Sequence, residues 1–266
     1  MTKLLIQRFL SIFSVGLFNR KKFRAIPREG VIVLEPPEVD DYIRARHLAN
    51  LLNFYRVDCI LDVGANKGDF GWFLRYHADY QGRIHSFEPV REVYAKLEAT
   101  RASDPLWYLH NAAVGNVNEE RDISVMANTD FSSFLTPNPE AGWAGENLVV
   151  KSERVTVKRL DDVWENVTAK AKNIMLKTDT QGNDLAVLKG AGEHLSDIAI
   201  IQVELSFQQA YFGMPTGEEV LDFLKEKGFL ISGLFPVASR KDGSIVEGDC
   251  LLVNPQHFHK QEVDSC

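Results

Sequence analysis

The chain has 266 residues, 45% of them apolar and 25% charged, with a formal net charge of −7, which is enough to bury the core of one full-size domain with an appendage. Residues 1–28 hold seven Lys/Arg and no acid, so the remainder carries an excess of 14 negative charges once those seven are set against the net of −7. An acidic body of that kind argues against sequence-independent nucleic-acid binding.

The first predicted element is an amphipathic helix over Met1–Phe18. At 100° per residue, Lys3, Gln7, Arg8, Ser11 and Ser14 gather on one side, leaving a broad face of Leu4, Leu5, Ile6, Phe9, Leu10, Ile12, Phe13, Val15 and Leu17. Arg8 interrupts it, no Ala-x-Ala cleavage site follows, and the basic run Arg20, Lys21, Lys22, Arg24 comes where a signal peptide would be neutral. It is also shorter than the roughly 20 uninterrupted apolar residues of a spanning helix. Two readings stay open: packing on the body or on a second copy, as in a homodimer, or attachment to an anionic membrane surface.

Residues 29–57 read as a lead-in. Val31–Leu34 forms a short strand stopped by Pro36-Pro37, and Asp40 caps a helix reaching about Tyr55, with Ile43, His47, Leu48, Leu51 and Leu52 on one side. His47, on an apolar face, is expected to be packed in the core.

The main domain spans 58–256 and opens with Cys59-Ile60-Leu61-Asp62-Val63-Gly64-Ala65-Asn66-Lys67-Gly68. An apolar run meets an acid and two glycines four apart, then helical periodicity at Phe70, Phe73 and Leu74: a strand passing to a helix through a ligand-cradling loop. It is neither the G-x-G-x-x-G of dinucleotide sites nor a P-loop. A second acid, Glu88, closes the next strand-like run, Arg83–Phe87. Two carboxylates would repel a pyrophosphate, but they suit a cationic ligand with a ribose: Glu88 to accept from the ribose hydroxyls, Asp62 to sit near an amino-acid ammonium. S-adenosylmethionine meets that description.

Further strands are predicted at 106–110, 173–178, 198–204, 229–235 and 245–253, with helices at 68–77, 90–102, 160–168, 184–195 and 216–227 between strands. This alternation gives a parallel sheet covered on both faces, and the Lys241-Asp242-Gly243 turn makes the last two strands antiparallel. The span 116–159, with strand-like runs at Ile123–Met126 and Leu148–Val157, is too long for an ordinary connection. With Asp130–Phe134 and Trp143 it reads as a lid or acceptor-binding insert. Of the three cysteines, Cys59 and Cys250 fall inside strands, and the odd number without a C-x-x-C pair favours a reducing, cytoplasmic setting.

Taken together, Leu61–Gly68, Phe87-Glu88-Pro89, Asn111–Gly115, Leu160-Asp161-Asp162, Lys177–Gly182 with Leu188–Ala191, and Ile201–Glu204 resemble the FkbM-type S-adenosylmethionine-dependent methyltransferases over roughly residues 55–255. One departure stands out: the family usually reads Asp-Val-Glu-Gly where this chain has Asp179-Thr180-Gln181-Gly182. The resemblance implies an α/β, Rossmann-like class I methyltransferase fold, a seven-stranded, mostly parallel sheet ending in an antiparallel hairpin. It also implies that Ala65, Asn66, Gly68, Pro89 and Asn111 join Asp62, Gly64 and Glu88 around the cofactor. The implied reaction is O-methylation of a sugar, a glycolipid or a natural product.

Ligands of open α/β sheets lie beyond the carboxyl ends of the strands. Asp179 and Glu204 both end strands there, and the resemblance makes those strands neighbours. Two acids so close cannot both ionise freely, so either one is protonated or a cation, Mg²⁺ or Lys177, sits with them. Asp179 is the expected general base, assisted by Glu204 or a metal. His110 ends a strand and could reach the cleft, His85 reads as structural, and His257-x-His259 is a weak metal motif. Two other readings compete: an NAD-dependent oxidoreductase on the same kind of sheet, and a non-catalytic cofactor-binding partner protein, which Gln181 favours.

Overall fold

The computed structural model describes residues 36–101, 104–141 and 148–258. The predicted helix at Met1–Phe18, the basic run to Arg24, the strand Val31–Leu34, Trp143, His259 and Cys266 lie outside the described residues. The first helix, α1, runs Pro36–Phe54. It therefore starts at Pro36 and not at Asp40, because proline has its φ preset for a helical first turn and lacks only an N–H that would be unpaired there.

Strands β1 (Cys59–Val63), β2 (Arg83–Phe87) and β3 (Trp107–His110) alternate with helices α2 (Asp69–Tyr76) and α3 (Arg91–Arg101). Then come short β4 (Ala113–Gly115), β5 (Glu119–Met126) and β6 (Val149–Arg159), α4 (Leu160–Thr168), β7 (Ile174–Thr178) and α5 (Asp184–Gly190). The chain continues through β8 (Ile198–Ser206), α6 (Gly217–Glu226), β9 (Leu230–Ser239) and β10 (Ile245–Val253). Among the described residues seven strands form one sheet, ordered β3-β2-β1-β7-β8-β10-β9, and three form another, ordered β4-β6-β5. The large sheet is parallel through β8, and β10 runs antiparallel to both β8 and β9.

Period-2 alternation assigns the two faces. Cys59, Leu61, Val63, Leu176, Ile201 and Val203 pack with Trp164, Leu188 and Leu224 of α4, α5 and α6. Ile60, Ile84, Met175, Ile200 and Leu251 pack with Leu48 and Leu52 of α1 and Leu74 of α2. β1 is buried at every position, as a central parallel strand must be. Cys59 and Cys250 are buried free thiols within this core, and burial pushes Cys59 up to about 12 and Cys250 up to about 11.

Two predicted elements change shape. The helix expected over 184–195 ends at Gly190 and gives way to a 3₁₀ turn over Gly192–Asp197, because Gly192 takes φ +57. The span 116–159 is mostly sheet: β5 and β6 pair antiparallel from Glu119↔Val157 to Met126↔Val149, with a 3₁₀ turn at Thr129–Phe131 beyond β5. The wholly polar runs Glu119–Asp122 and Lys151–Arg154, which carry no apolar alternation, hid how far these strands extend. Among the described residues no helix is long and apolar enough to cross a membrane.

Candidate active site

β1 ends at Val63 and the chain turns through Gly64 (φ +77), Asn66 (φ +46) and Gly68 (φ +93). The amides of Gly64 and Ala65 donate to Phe87 O at 3.1 and 3.0 Å, locking this turn to the end of β2. A Cβ on Gly64 would lie 1.9 Å from Asp179 O, so the glycine is required by close backbone approach as well as by its φ. Gly68 closes against Leu97, Thr100 and Trp107.

Glu88 is 6% exposed. Its carboxylate accepts from Asn66 N at 3.0 Å and Val90 N at 2.8 Å. Burial outweighs those two bonds and raises its pKa to about 7. Asn111 is exposed and supports the site indirectly, donating its amide to Glu88 O at 2.9 Å and Pro89 O at 3.1 Å.

Beneath the loop a buried polar row crosses the sheet. Trp107 Nε1 donates to Ser86 Oγ at 2.9 Å, and Ser86 donates to Asp62 Oδ2 at 2.7 Å. Asp62 Oδ1 faces Lys177 Nζ at 3.4 Å. Asp62 is fully buried, so its carboxylate meets Lys177 and Ser86 rather than the cleft. Lys177 donates to Gly64 O at 3.0 Å and reaches Asp179 at 3.6 Å. Burial works against its charge, but Asp179, Asp62 and Asp249 together hold its pKa above the ordinary lysine value.

Asp179 and Glu204 come together at the ends of the adjacent strands β7 and β8, and the group between them is the Gln181 amide. Its Nε2 lies 3.2 Å from Asp179 Oδ1 and 3.0 Å from Glu204 Oε2. The cation beside Asp179 is Lys177, and among the described residues no group of three or more His, Cys, Asp or Glu is arranged to hold a metal. Burial, then Asp179, Glu247, Asp184 and Asp249, push the Glu204 pKa well up. The carboxylate that caps this loop is Asp184, accepting from Thr178 Oγ1 at 2.7 Å and Thr180 N at 3.0 Å.

These groups border a cleft of about 1050 Å³. One lobe is walled by Gly64, Ala65, Asn66, Glu88, Pro89 and Val90, with Ile123, Thr129, Asp130 and Phe134 of the β5–β6 arm opposite. The arm is tied to the glycine loop where Asn66 Nδ2 donates to Asp130 Oδ1 at 2.7 Å. The other lobe is where Arg44 of α1 pairs with Asp249 of β10 and lies 4.9 Å over the Phe73 ring of α2, with Trp72, Tyr76 and Gln202 also in the lining. Lys177, Asp179, Thr180 and Gln181 line the cleft as well. Its described lining carries Asp69, Glu88, Asp130, Asp179 and Asp249 against Arg44 and Lys177, and both bases already have acidic partners.

Glu204 and Asn111 are not among the described lining residues, and neither is His110. His110 instead stacks on Phe87 and meets His85 at 3.1 Å, because its β3 edge position turns it along the sheet. His85 is buried and, chiefly by that burial, pushed down to about 4. His257 is buried against Ser196 O at 3.0 Å, and His47 bonds Ser232 Oγ at 2.9 Å. Arg44, Gln202 and Asp249 were missed by the sequence reading, and Trp72, whose spacing in the sequence suits the core, is 43% exposed and lines the cleft. For Gln202 and Asp249 the available signal was a polar residue set inside the apolar runs of β8 and β10.

The strand order with its reversed last pair, the glycine loop and the acid at the end of β2 define a Rossmann-like class I methyltransferase. Within that class the chain belongs to the FkbM methyltransferase family: the model described as "Methyltransferase FkbM domain" matches residues 62–231, more than half of it. No curated protein sequence matches the chain. Similar solved structures include Aeropyrum pernix fibrillarin with natively bound S-adenosyl-L-methionine, at 11% identity, TM-score 0.46, covering 80% of this chain and 76% of that one. Another is magnesium protoporphyrin IX methyltransferase from Synechocystis with bound S-adenosylmethionine, at 9% identity, TM-score 0.43, covering 94% and 90%.

Proposed function

We propose that this methyltransferase uses S-adenosylmethionine to methylate a hydroxyl of a sugar, glycolipid or natural product. The observation that carries the reading is Asp179, ion-paired with Lys177 and lining a cleft large enough for two ligands. The residues present fit the cofactor. The Gly64 cradle admits no side chain, and Glu88, in the lining, can accept from hydroxyls. Five lining acids against two paired bases favour a cation and disfavour the pyrophosphate of a nicotinamide dinucleotide.

S-adenosylmethionine supplies a methyl group already activated on a sulfonium. The protein's task is to hold an acceptor oxygen in line with it, the proximity contribution, and to take the hydroxyl proton. In this reading Asp179 takes the second task. Lys177, held by Asp62 and Gly64 O, steadies its charge, and Glu204 stands behind through Gln181. The α1–α2 lobe is the acceptor's place in this reading, with Trp72 and Tyr76 offering a flat apolar face and Arg44, Gln202 and Asp249 offering hydrogen bonds. The experiment is a screen of hydroxyl acceptors with methyl-labelled cofactor, using wild type and Asp179→Asn. Turnover should fall 10²–10⁴-fold in the variant, the general-base range, with cofactor affinity nearly intact. Equal loss of both would make Asp179 a cofactor or folding residue. Activity lost to chelator and restored by Mg²⁺ would replace the metal-free base with a metal site.

A further inference from the structure

Gln181 is held from every side. A primary amide has two N–H groups, and here one points at Asp179 Oδ1 (3.2 Å) and the other at Glu204 Oε2 (3.0 Å). Its Oε1 lies 3.0 Å from the Tyr211 hydroxyl, which is also 2.8 Å from Phe131 O. The Gln181 backbone is left-handed, φ +52, and its carbonyl accepts from Ser133 Oγ at 2.7 Å. Turning the amide over would set its oxygen between two carboxylate groups, so the network fixes its orientation. The residue thereby joins the β7 loop, the end of β8, the segment at Tyr211 and the β5–β6 arm.

We infer that Gln181 is a positioning residue for methyl transfer, its amide bridging Asp179 and Glu204 so that two carboxyl groups share the site with Asp179 turned to the cleft. The inference rests on the reading of Asp179 as the base. Ionisable groups face this trio from several elements: Lys177 and Asp184 from β7 and α5, Glu247 and Asp249 from β10, and Tyr211 from the segment after β8. Without the amide, the two carboxyl groups have no donor between them, and Asp179 loses a hydrogen bond that favours its charged, proton-accepting form. With it, burial and the neighbouring acids, Asp179 first among them, hold the Glu204 pKa up behind the amide, and the acceptor's proton has Asp179 to go to. A glutamate at 181 has the same reach but sets a third carboxyl group against the other two.

The test needs no acceptor. In the full-length protein carrying ¹³C-labelled carboxyl groups, the Asp179 resonance is assigned by its absence in Asp179→Asn and titrated in wild type, Gln181→Glu and Gln181→Met. The Met variant keeps the volume and removes both donors, and it serves alone if the Glu variant does not fold. The Asp179 midpoint should rise by about one pH unit or more in the Glu variant, which sets a third carboxyl group within the amide's reach, and by a smaller amount in the Met variant, which only removes the donor. With an acceptor from the screen, the acidic limb of kcat should move up by the same amount, while cofactor Kd stays within about twofold. A midpoint and a kcat limb unmoved in both variants would overturn the inference. Unaltered turnover in Asp179→Asn would overturn the base assignment instead, so the two failures are distinguishable.

Discussion

At the scale of single residues, Glu88 makes a prediction whose sign can be worked out. Burial raises its pKa from the ordinary 4.5 to about 7, so it titrates in the physiological range. A cationic ligand that donates hydroxyls favours the ionised carboxylate, so S-adenosylmethionine affinity should climb as pH rises through about 7 and level off above it. For folding the sign is opposite: with the folded pKa above the unfolded one, stability from this group is fully present below about 4.5 and is lost towards about 7. Calorimetric titration from pH 5.5 to 8.5 checks the first statement, with Glu88→Gln expected to flatten the profile. Glu88→Ala should weaken binding about ten- to a hundredfold, roughly 1.5–3 kcal/mol for charge-assisted hydrogen bonds. A flat wild-type profile would remove Glu88 from the site. Glu88 was legible because an acid closing a strand beside a glycine loop has few structural uses. Gln181 was legible only as a departure, since the three partners of its side-chain amide lie 2, 23 and 30 positions away and no local pattern brings them together.

At the scale of elements, α2 decides what the acceptor lobe can bind. Gly71 packs so closely that a Cβ there would lie 2.1 Å from Trp107 Cζ2, which fixes the rotation of the helix. Trp72 and Tyr76, an i,i+4 pair, are then turned outward, 43% and 46% exposed, and stack at 4.0 Å with 16° between planes. If this face receives the acceptor, Trp72→Ala should raise the acceptor's KM roughly two- to twelvefold, the ~0.5–1.5 kcal/mol of an aromatic contact. kcat and cofactor Kd should hardly change. A fall in kcat at constant KM would move the acceptor elsewhere. The βα units were readable because buried parallel strands are continuous apolar runs and their helices keep a 3.6 period. The β5–β6 hairpin was only half readable: its outer face is charged, and pairing from Glu119↔Val157 depends on a partner about 40 residues away.

At the scale of the whole molecule, charge is divided between the first 28 residues and the rest of the chain. Seven Lys/Arg and no acid occupy residues 1–28, ahead of a body with 14 excess negatives. An anionic surface would attract the first part and repel the second, which would orient the molecule tail-down. Each Lys or Arg near such a leaflet contributes about 1 kcal/mol, so Arg20, Lys21, Lys22 and Arg24 together contribute roughly 4, ahead of any burial of Phe9, Phe13 and Phe18. An enzyme held this way would meet acceptors carried on lipid, such as a lipid-linked glycan. The full chain should therefore co-sediment with phosphatidylserine-containing vesicles at low salt and be released as ionic strength rises. Replacing those four basic residues with Ala should cut the bound fraction sharply, while neutral phosphatidylcholine vesicles should bind little of either protein. If wild type stays in the supernatant with anionic vesicles at low salt, membrane attachment fails. The amphipathic segment is then a packing element within the chain or between two copies, and sedimentation velocity would separate those two outcomes by mass.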